Sequence, residues 1–159
     1  MPKISVIIPT KNRANYLAHT IESALNQNYD DYEIIISDNF SNDNTKDIVE
    51  KFKSKKIKYY KSEKELSRTE SWNFALSKAN GEFITFLGDD DSLCKGSITL
   101  LDKILFKFNV DVITWQKFNY HWPDHIYDER KNTINGSVRH LVTKVKSESK
   151  FKLFTKFYE

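Results

Sequence analysis

Three consecutive carboxylates, Asp89, Asp90 and Asp91, follow Gly88 at the end of an apolar run, Phe83 to Leu87. Adjacent like charges are costly to hold together unless something cationic sits among them. Oxygen-only ligands select a hard ion, so the cluster is a candidate site for Mn²⁺ or Mg²⁺. The same residues would also serve as a solvated acidic turn or as the anionic start of a helix. Two further groups stand at the ends of apolar runs: Asp38 after Tyr32 to Ser37, and Arg13 shortly after Ile4 to Ile8. A strand-end aspartate can accept from a base N–H or a ribose hydroxyl. An arginine at a strand mouth can pair with a diphosphate. As a turn cap and a surface charge, respectively, neither would need a ligand.

The elements that must carry these groups alternate. Ile4 to Ile8 is a continuous apolar strand, as expected when both faces of a parallel sheet are covered. Tyr16, Leu17, Thr20, Ile21, Ala24 and Leu25 follow helical spacing. Tyr32 to Ser37 is the second strand, and the polar turn Ser41 to Thr45 offers helix caps before Ile48, Val49 and Phe52. Ile57 to Tyr60 is a weaker third strand. Leu66 to Ala79 reads as a helix with Trp72, Leu76 and Ala79 on one face. Phe83 to Leu87 is the fourth strand, after the Asn80-Gly81 break. An amphipathic helix then carries Ile98 to Phe108, and Val110 to Trp115 is a fifth strand that could extend to Tyr120. Residues 121–136 are polar and turn-rich, and the remainder has helical spacing. Strand–helix alternation predicts a doubly wound, mostly parallel α/β sheet flanked by helices, with right-handed crossovers. Its strand ends are where such sheets bind ligands.

Composition narrows the class. The chain has 159 residues, 39% hydrophobic and 30% charged, which fits a globular domain with a sizeable core. A net charge of +3 is too mild to argue for nucleic acid. No apolar run approaches the roughly 20 residues of a spanning helix. The N-terminus lacks signal-peptide architecture. A lone cysteine, Cys94, excludes an internal disulfide and suits a reducing cytoplasm. Neither Gly-x-Gly-x-x-Gly nor a Gly-Lys-Ser/Thr loop is present, and the chain has only 4 glycines, so phosphate must be met by a metal and cationic side chains.

Four segments together resemble family 2 glycosyltransferases of the GT-A fold. Ser5 to Arg13 is similar to the family's opening strand. Glu33 to Thr45 resembles its second signature, which usually ends Asp-Asp-Gly-Ser-x-Asp-x-Thr. Asn73 to Phe83 looks like the lead-in to its metal-binding strand end, and Leu87 to Asp91 like its Asp-x-Asp motif. The resemblance covers residues 4–115 and implies a Rossmann-like GT-A core, here residues 1–120, with 121–159 beginning an acceptor-side segment. Carried over residue by residue, Pro9, Thr10 and Arg13 border the base and diphosphate of a nucleotide sugar, and Asp38 meets the base. Asp89 lies near the ribose. Asp90, with Asp91 beside it, holds the divalent cation. Arg68 is a looser match for a basic residue turned to the nucleotide. Asn39 and Phe40 replace the usual Asp and Gly, and Gly88 stands where the motif's first Asp often falls, which leaves its register open.

What the resemblance implies is a metal-dependent transfer, with inversion, from a nucleotide diphosphate sugar, most plausibly a UDP-sugar, to a glycan or lipid-linked acceptor. Such an enzyme would work in the cytoplasm, at the inner face of the membrane. The base that activates the acceptor lies well beyond the metal motif in the family, and Asp124, Asp128 and Glu129 sit in no matching motif, so none is assigned. The chain is therefore read as the donor-binding part of a longer enzyme, the alternative being a noncatalytic nucleotide-sugar-binding module.

Other candidates are weaker. His121 and His125 flank Pro123, which denies them helical zinc-site geometry. Cys94 is expected to be a small buried apolar residue. Asn135-Gly136-Ser137 is a sequon without a secretory signal. From Ser137 to Glu159, basic residues alternate with Leu141, Val142, Val145, Phe151, Phe154 and Phe157. Such a helix can make peripheral contact with an anionic membrane. The commoner role is to cover a core, and uncovered it would drive self-association.

Overall fold

Two central strands are buried almost end to end because they are apolar on both faces. β1 (Ile4–Thr10) is buried at every residue but Pro9, and β2 (Tyr32–Asp38) at every residue. Helices α1 (Ala14–Leu25) and α2 (Thr45–Lys51) follow them, then β3 (Ile57–Lys61), α3 (Arg68–Ser77), β4 (Phe83–Phe86) and α4 (Ser97–Phe108). The short strands β5 (Asn119–Tyr120) and β6 (Ile134–Asn135) pair antiparallel with each other. The computed structural model describes residues 2–108, 111–113, 119–120 and 134–135. The chain divides into two compact units, residues 1–101 and 102–159, and α4 begins in the first and continues into the second.

The first unit is a four-stranded parallel sheet in the order β3-β2-β1-β4. Right-handed crossovers put α1 and α2 on one face and α3 on the other, because the chain reverses direction across the sheet between β3 and β4. Side chains alternate accordingly. Ile7 and Ile35 pack with Ala75 of α3, and Tyr60, Leu76, Ala79, Ile84 and Phe86 close around them. Ile4, Ile8, Leu17, Ile21, Ile34 and Ile36 are wholly buried as well. Burying a side chain of this size is worth about 1.5–3 kcal/mol, and truncating Ile7 to alanine would cost about 2–5 kcal/mol.

A buried carboxylate ties the sheet to the turn before β4. Glu33, 3% exposed, accepts from the Ser5 hydroxyl at 2.6 Å, the Asn80 N–H at 2.7 Å and the Lys58 ammonium at 2.6 Å. Ser5 Oγ in turn accepts from the Gly81 N–H at 2.8 Å. A β-carbon at position 81 would sit 2.5 Å from the Ser5 backbone nitrogen, so only glycine allows this approach.

The doubly wound GT-A architecture read from the sequence is the one observed. Differences are local. α3 ends at Ser77, short of the Ala79 read from the sequence; it buries Ser71 and Ala75 against the sheet and leaves Trp72 and Leu76 half-buried at the edge of that contact. Residues 111–113, read as part of a fifth strand, form a bend and irregular backbone, and no ladder partner is described for them. Among the described residues, no helix is long and apolar enough to cross a membrane. The histidine pair, the carboxylates at 124, 128 and 129, most of the sequon and the basic segment from residue 137 lie outside the described residues.

Candidate functional site

The strand order reverses between β1 and β4, and at such a switch point the loops leaving two neighbouring strands part and open a crevice. Here the crevice is a cleft of about 390 Å³. Pro9, Thr10, Lys11 and Arg13 line it from the end of β1, Asn39 from the end of β2, Leu66, Arg68, Ser71 and Trp72 from α3 and its approach, and Asp89 from the loop after β4. Trp72 stacks on Phe86 with ring centroids 5.0 Å apart. Of the residues singled out in the sequence, Pro9, Thr10, Arg13, Arg68 and Asp89 thus share one cavity.

The acids are not left to repel one another. Thr10 Oγ1 donates to Asp89 Oδ2 at 2.9 Å. Arg13 Nη1 reaches Asp89 Oδ1 at 3.3 Å and Asp90 Oδ2 at 2.7 Å. Burial pushes the Asp89 carboxyl above its ordinary range, an effect that the Thr10 bond and the Arg13 charge only partly offset. The bond to Asp90 and the charges of both aspartates raise the Arg13 guanidinium further above its ordinary value. Asp91 turns back over Gly88. A β-carbon at position 88 would lie 2.7 Å from Asp91 Oδ2 and 3.2 Å from Asp90 Oδ1, so both carboxylates overhang the same glycine. Among the described residues no group of three or more His, Cys, Asp or Glu could hold a metal by itself. A pair of carboxylates nonetheless fits Mg²⁺ or Mn²⁺, which commonly take one or two protein carboxylates and draw the rest from phosphates and water.

Asp38, the last residue of β2, is not part of the cleft lining and is 1% exposed. Its Oδ1 accepts from the Ser41 N–H at 2.8 Å, and its Oδ2 from the Tyr59 hydroxyl. Burial first, and then the Asp38 charge, raise the Tyr59 hydroxyl well above its ordinary range. Phe40, in place of a more usual glycine, holds the left-handed conformation of that position at φ 58°. The Asn39 amide clasps the opposite wall: Nδ2 donates to the Leu66 carbonyl and Oδ1 accepts the Leu66 N–H, both at 2.8 Å. Ser67 and Glu70 then form a capping box that starts α3 beside Arg68. Asp43 accepts from the Ala14 N–H at 3.0 Å and the Thr45 N–H at 3.1 Å, and so serves the first turns of both α1 and α2.

Sequence reasoning placed Thr20 on the apolar face of α1 but gave no role to it, to Ser23, or to Gln27 just beyond the helix. Thr20 Oγ1 lies 2.9 Å from the Asp89 carbonyl and 2.8 Å from that of Asp91. Ser23 Oγ accepts from the Leu93 N–H at 3.1 Å. Gln27 donates to the Cys94 carbonyl at 3.1 Å and accepts from the Ile98 N–H at 3.4 Å. The available signal was the 20, 23 spacing on one face of α1, with the buried Gln27 just past its end. Cys94, expected inside, is exposed, because its loop is held through backbone groups and the side chain is left outward.

The parallel sheet order, the helices on both faces and the acidic loop beyond β4 are those of the GT-A fold. The chain belongs to glycosyl transferase family 2, whose profile it matches over residues 5–155. It is 42% identical over 104 residues to the GalNAc(5)-diNAcBac-PP-undecaprenol beta-1,3-glucosyltransferase of Campylobacter jejuni subsp. jejuni serotype O:2, covering 64% of this chain and 34% of that one. Against the Escherichia coli UDP-Glc:alpha-D-GlcNAc-diphosphoundecaprenol beta-1,3-glucosyltransferase WfgD it is 31% identical over 107 residues, 67% of this chain and 42% of the other. The crystal structure of S. aureus TarS 1-349 in complex with UDP superposes with a TM-score of 0.66 at 30% identity, covering 70% of this chain and 34% of that one. The chain therefore spans well under half the length of these relatives.

Proposed function

We propose that this chain binds the donor in an inverting, metal-dependent glycosyltransferase that moves a sugar from a UDP-sugar to a lipid-linked acceptor at the inner face of the membrane. The observation that carries this reading is Arg13 held between Asp89 and Asp90 at the mouth of the switch-point cleft. UDP is favoured as the nucleotide by the UDP complex of TarS and by the UDP-Glc donor named for WfgD. A lipid-linked acceptor is favoured by the undecaprenol diphosphates named for both curated relatives.

In this reading Asp90 and Asp91 hold Mn²⁺ or Mg²⁺, which supplies Lewis-acid stabilisation of the departing diphosphate. Arg13 and Arg68 pair with the diphosphate oxygens from either side of the cleft. Asp89 faces the ribose, with Thr10 fixing its orientation, and Pro9 borders the base. Asp38 acts on the base through the turn it anchors at Ser41. The acceptor hydroxyl needs a carboxylate base within hydrogen-bond reach, and that base belongs to the acceptor side. Calorimetric titration of the chain with UDP, GDP and ADP, with and without Mn²⁺, tests the proposal. UDP binding that depends on Mn²⁺ is expected. Equal affinity for all three nucleotides, or indifference to the metal, would sink it.

A further inference from the structure

The loop from Gly88 to Gly96 has few internal backbone bonds, among them Asp91 N–H to the Gly88 carbonyl at 3.0 Å. A buried carbonyl left without a donor is destabilising, so the loop needs partners from outside. α1 provides them through Thr20 and Ser23, and Gln27, just past the end of the helix, continues the row. Thr20 is the member of that row at the acids. It is 1% exposed, and its hydroxyl carries a single donor proton, which the carbonyls of Asp89 and Asp91 share. Those two carbonyls flank the Asp90–Asp91 pair: one belongs to the peptide entering Asp90, the other to the peptide leaving Asp91. Holding both sets the backbone of Asp90, and with it the direction in which an exposed carboxylate leaves the loop. The base of the row is itself fixed, since Ser23 Oγ donates to the Thr20 carbonyl at 2.8 Å.

We propose that Thr20 is a positioning residue of the donor site, its hydroxyl pinning the two carbonyls that flank the Asp90–Asp91 pair so that the Asp90 carboxylate is preset for the cation and diphosphate. The inference rests on the reading of Asp90 given above. Residues that orient metal ligands typically change metal affinity about 10–100-fold when removed, and Thr20→Val is expected to fall in that range for Mn²⁺-dependent UDP binding, while Thr20→Ser stays within about three-fold of the native chain.

The test is calorimetric titration of UDP in the presence of Mn²⁺, with a melting curve for every variant. Ile21→Val, one residue on in the same helix, is the control for plain loss of stability: it should lower the melting temperature and leave UDP affinity unchanged. If Thr20→Val does not fold, Thr20→Cys replaces it with the same expectation, since a thiol is a poor donor. Native affinity in the Val or Cys variant overturns the inference. So does a Ser variant as weak as these, or an Ile21→Val variant that loses as much. A native chain that ignores Mn²⁺ overturns the donor-site reading and this inference with it, a result recognisable because it needs no variant.

Discussion

The Arg13 guanidinium and the Asp90 carboxylate meet at 2.7 Å with side chains 48% and 52% exposed. Ion pairs this open contribute about 0–1 kcal/mol, so the contact does little for the fold. Arg13→Gln should therefore leave the melting temperature nearly unchanged while weakening UDP binding, because the diphosphate loses a bidentate partner. A thermal melt alongside calorimetry checks this, and a stability loss beyond about 3 kcal/mol would mark the pair as structural.

Asp90 is the exposed member of the acidic cluster. Asp90→Ala should keep the fold and abolish the Mn²⁺ dependence of UDP binding. Full metal dependence in the variant would remove Asp90 from the site and leave Asp91 to account for it.

Glu33 should govern acid stability. Burial pushes its carboxyl up, but the bonds from Lys58, Ser5 and the Asn80 N–H outweigh that and hold it below its ordinary value of 4.5. A folded value below the unfolded one stabilises the protein above the ordinary carboxylate range, and that stability is lost as pH falls through the folded value. Urea midpoints from pH about 6 down to about 3 should fall steeply for the native chain and less steeply for Glu33→Gln. At neutral pH the variant should be less stable by about 1–3 kcal/mol.

Asn39 is matched to Leu66 as donor and acceptor at once, which an ionised aspartate cannot be. Asn39→Asp, although it restores the residue usual in the family signature, should cost about 1–3 kcal/mol through the stranded Leu66 carbonyl. It should also loosen the wall that carries Leu66 and Arg68. Equal urea midpoints for the two chains would contradict this.

Much of the sheet could be read directly, because β1 and β2 are covered on both faces and so appear as unbroken apolar runs. The acids after β4 were legible because a charged cluster that ends a short apolar run marks a strand end, although β4 itself is mostly half-buried. α3 was legible as a helix, but its spacing could not show that Trp72 lines the cleft while stacked on Phe86. The bonds made by Thr20, Ser23, Gln27 and Asn39 were not legible because their partners are backbone groups of distant segments, about which side-chain identity says nothing. Asp38 was read as open to a ligand. Its burial follows from Tyr59 on β3, and that pairing depends on register rather than on local sequence.

The glycine beneath the acids has one more consequence. The room that a side chain at position 88 would occupy is taken by the Asp91 carboxylate, at 2.7 Å from the missing β-carbon. Positions 88 and 91 therefore behave as a compensating pair, in which one carboxylate can be supplied from either place but not comfortably from both. Gly88→Asp alone should crowd Asp91 out of its seat and weaken Mn²⁺-dependent UDP binding, and Asp91→Gly alone should weaken it by removing the group. The double exchange, Gly88→Asp with Asp91→Gly, should recover much of what each single change loses. Such non-additivity would mark the acid as transposed along the chain, so that relatives with an acid at 88 need none at 91.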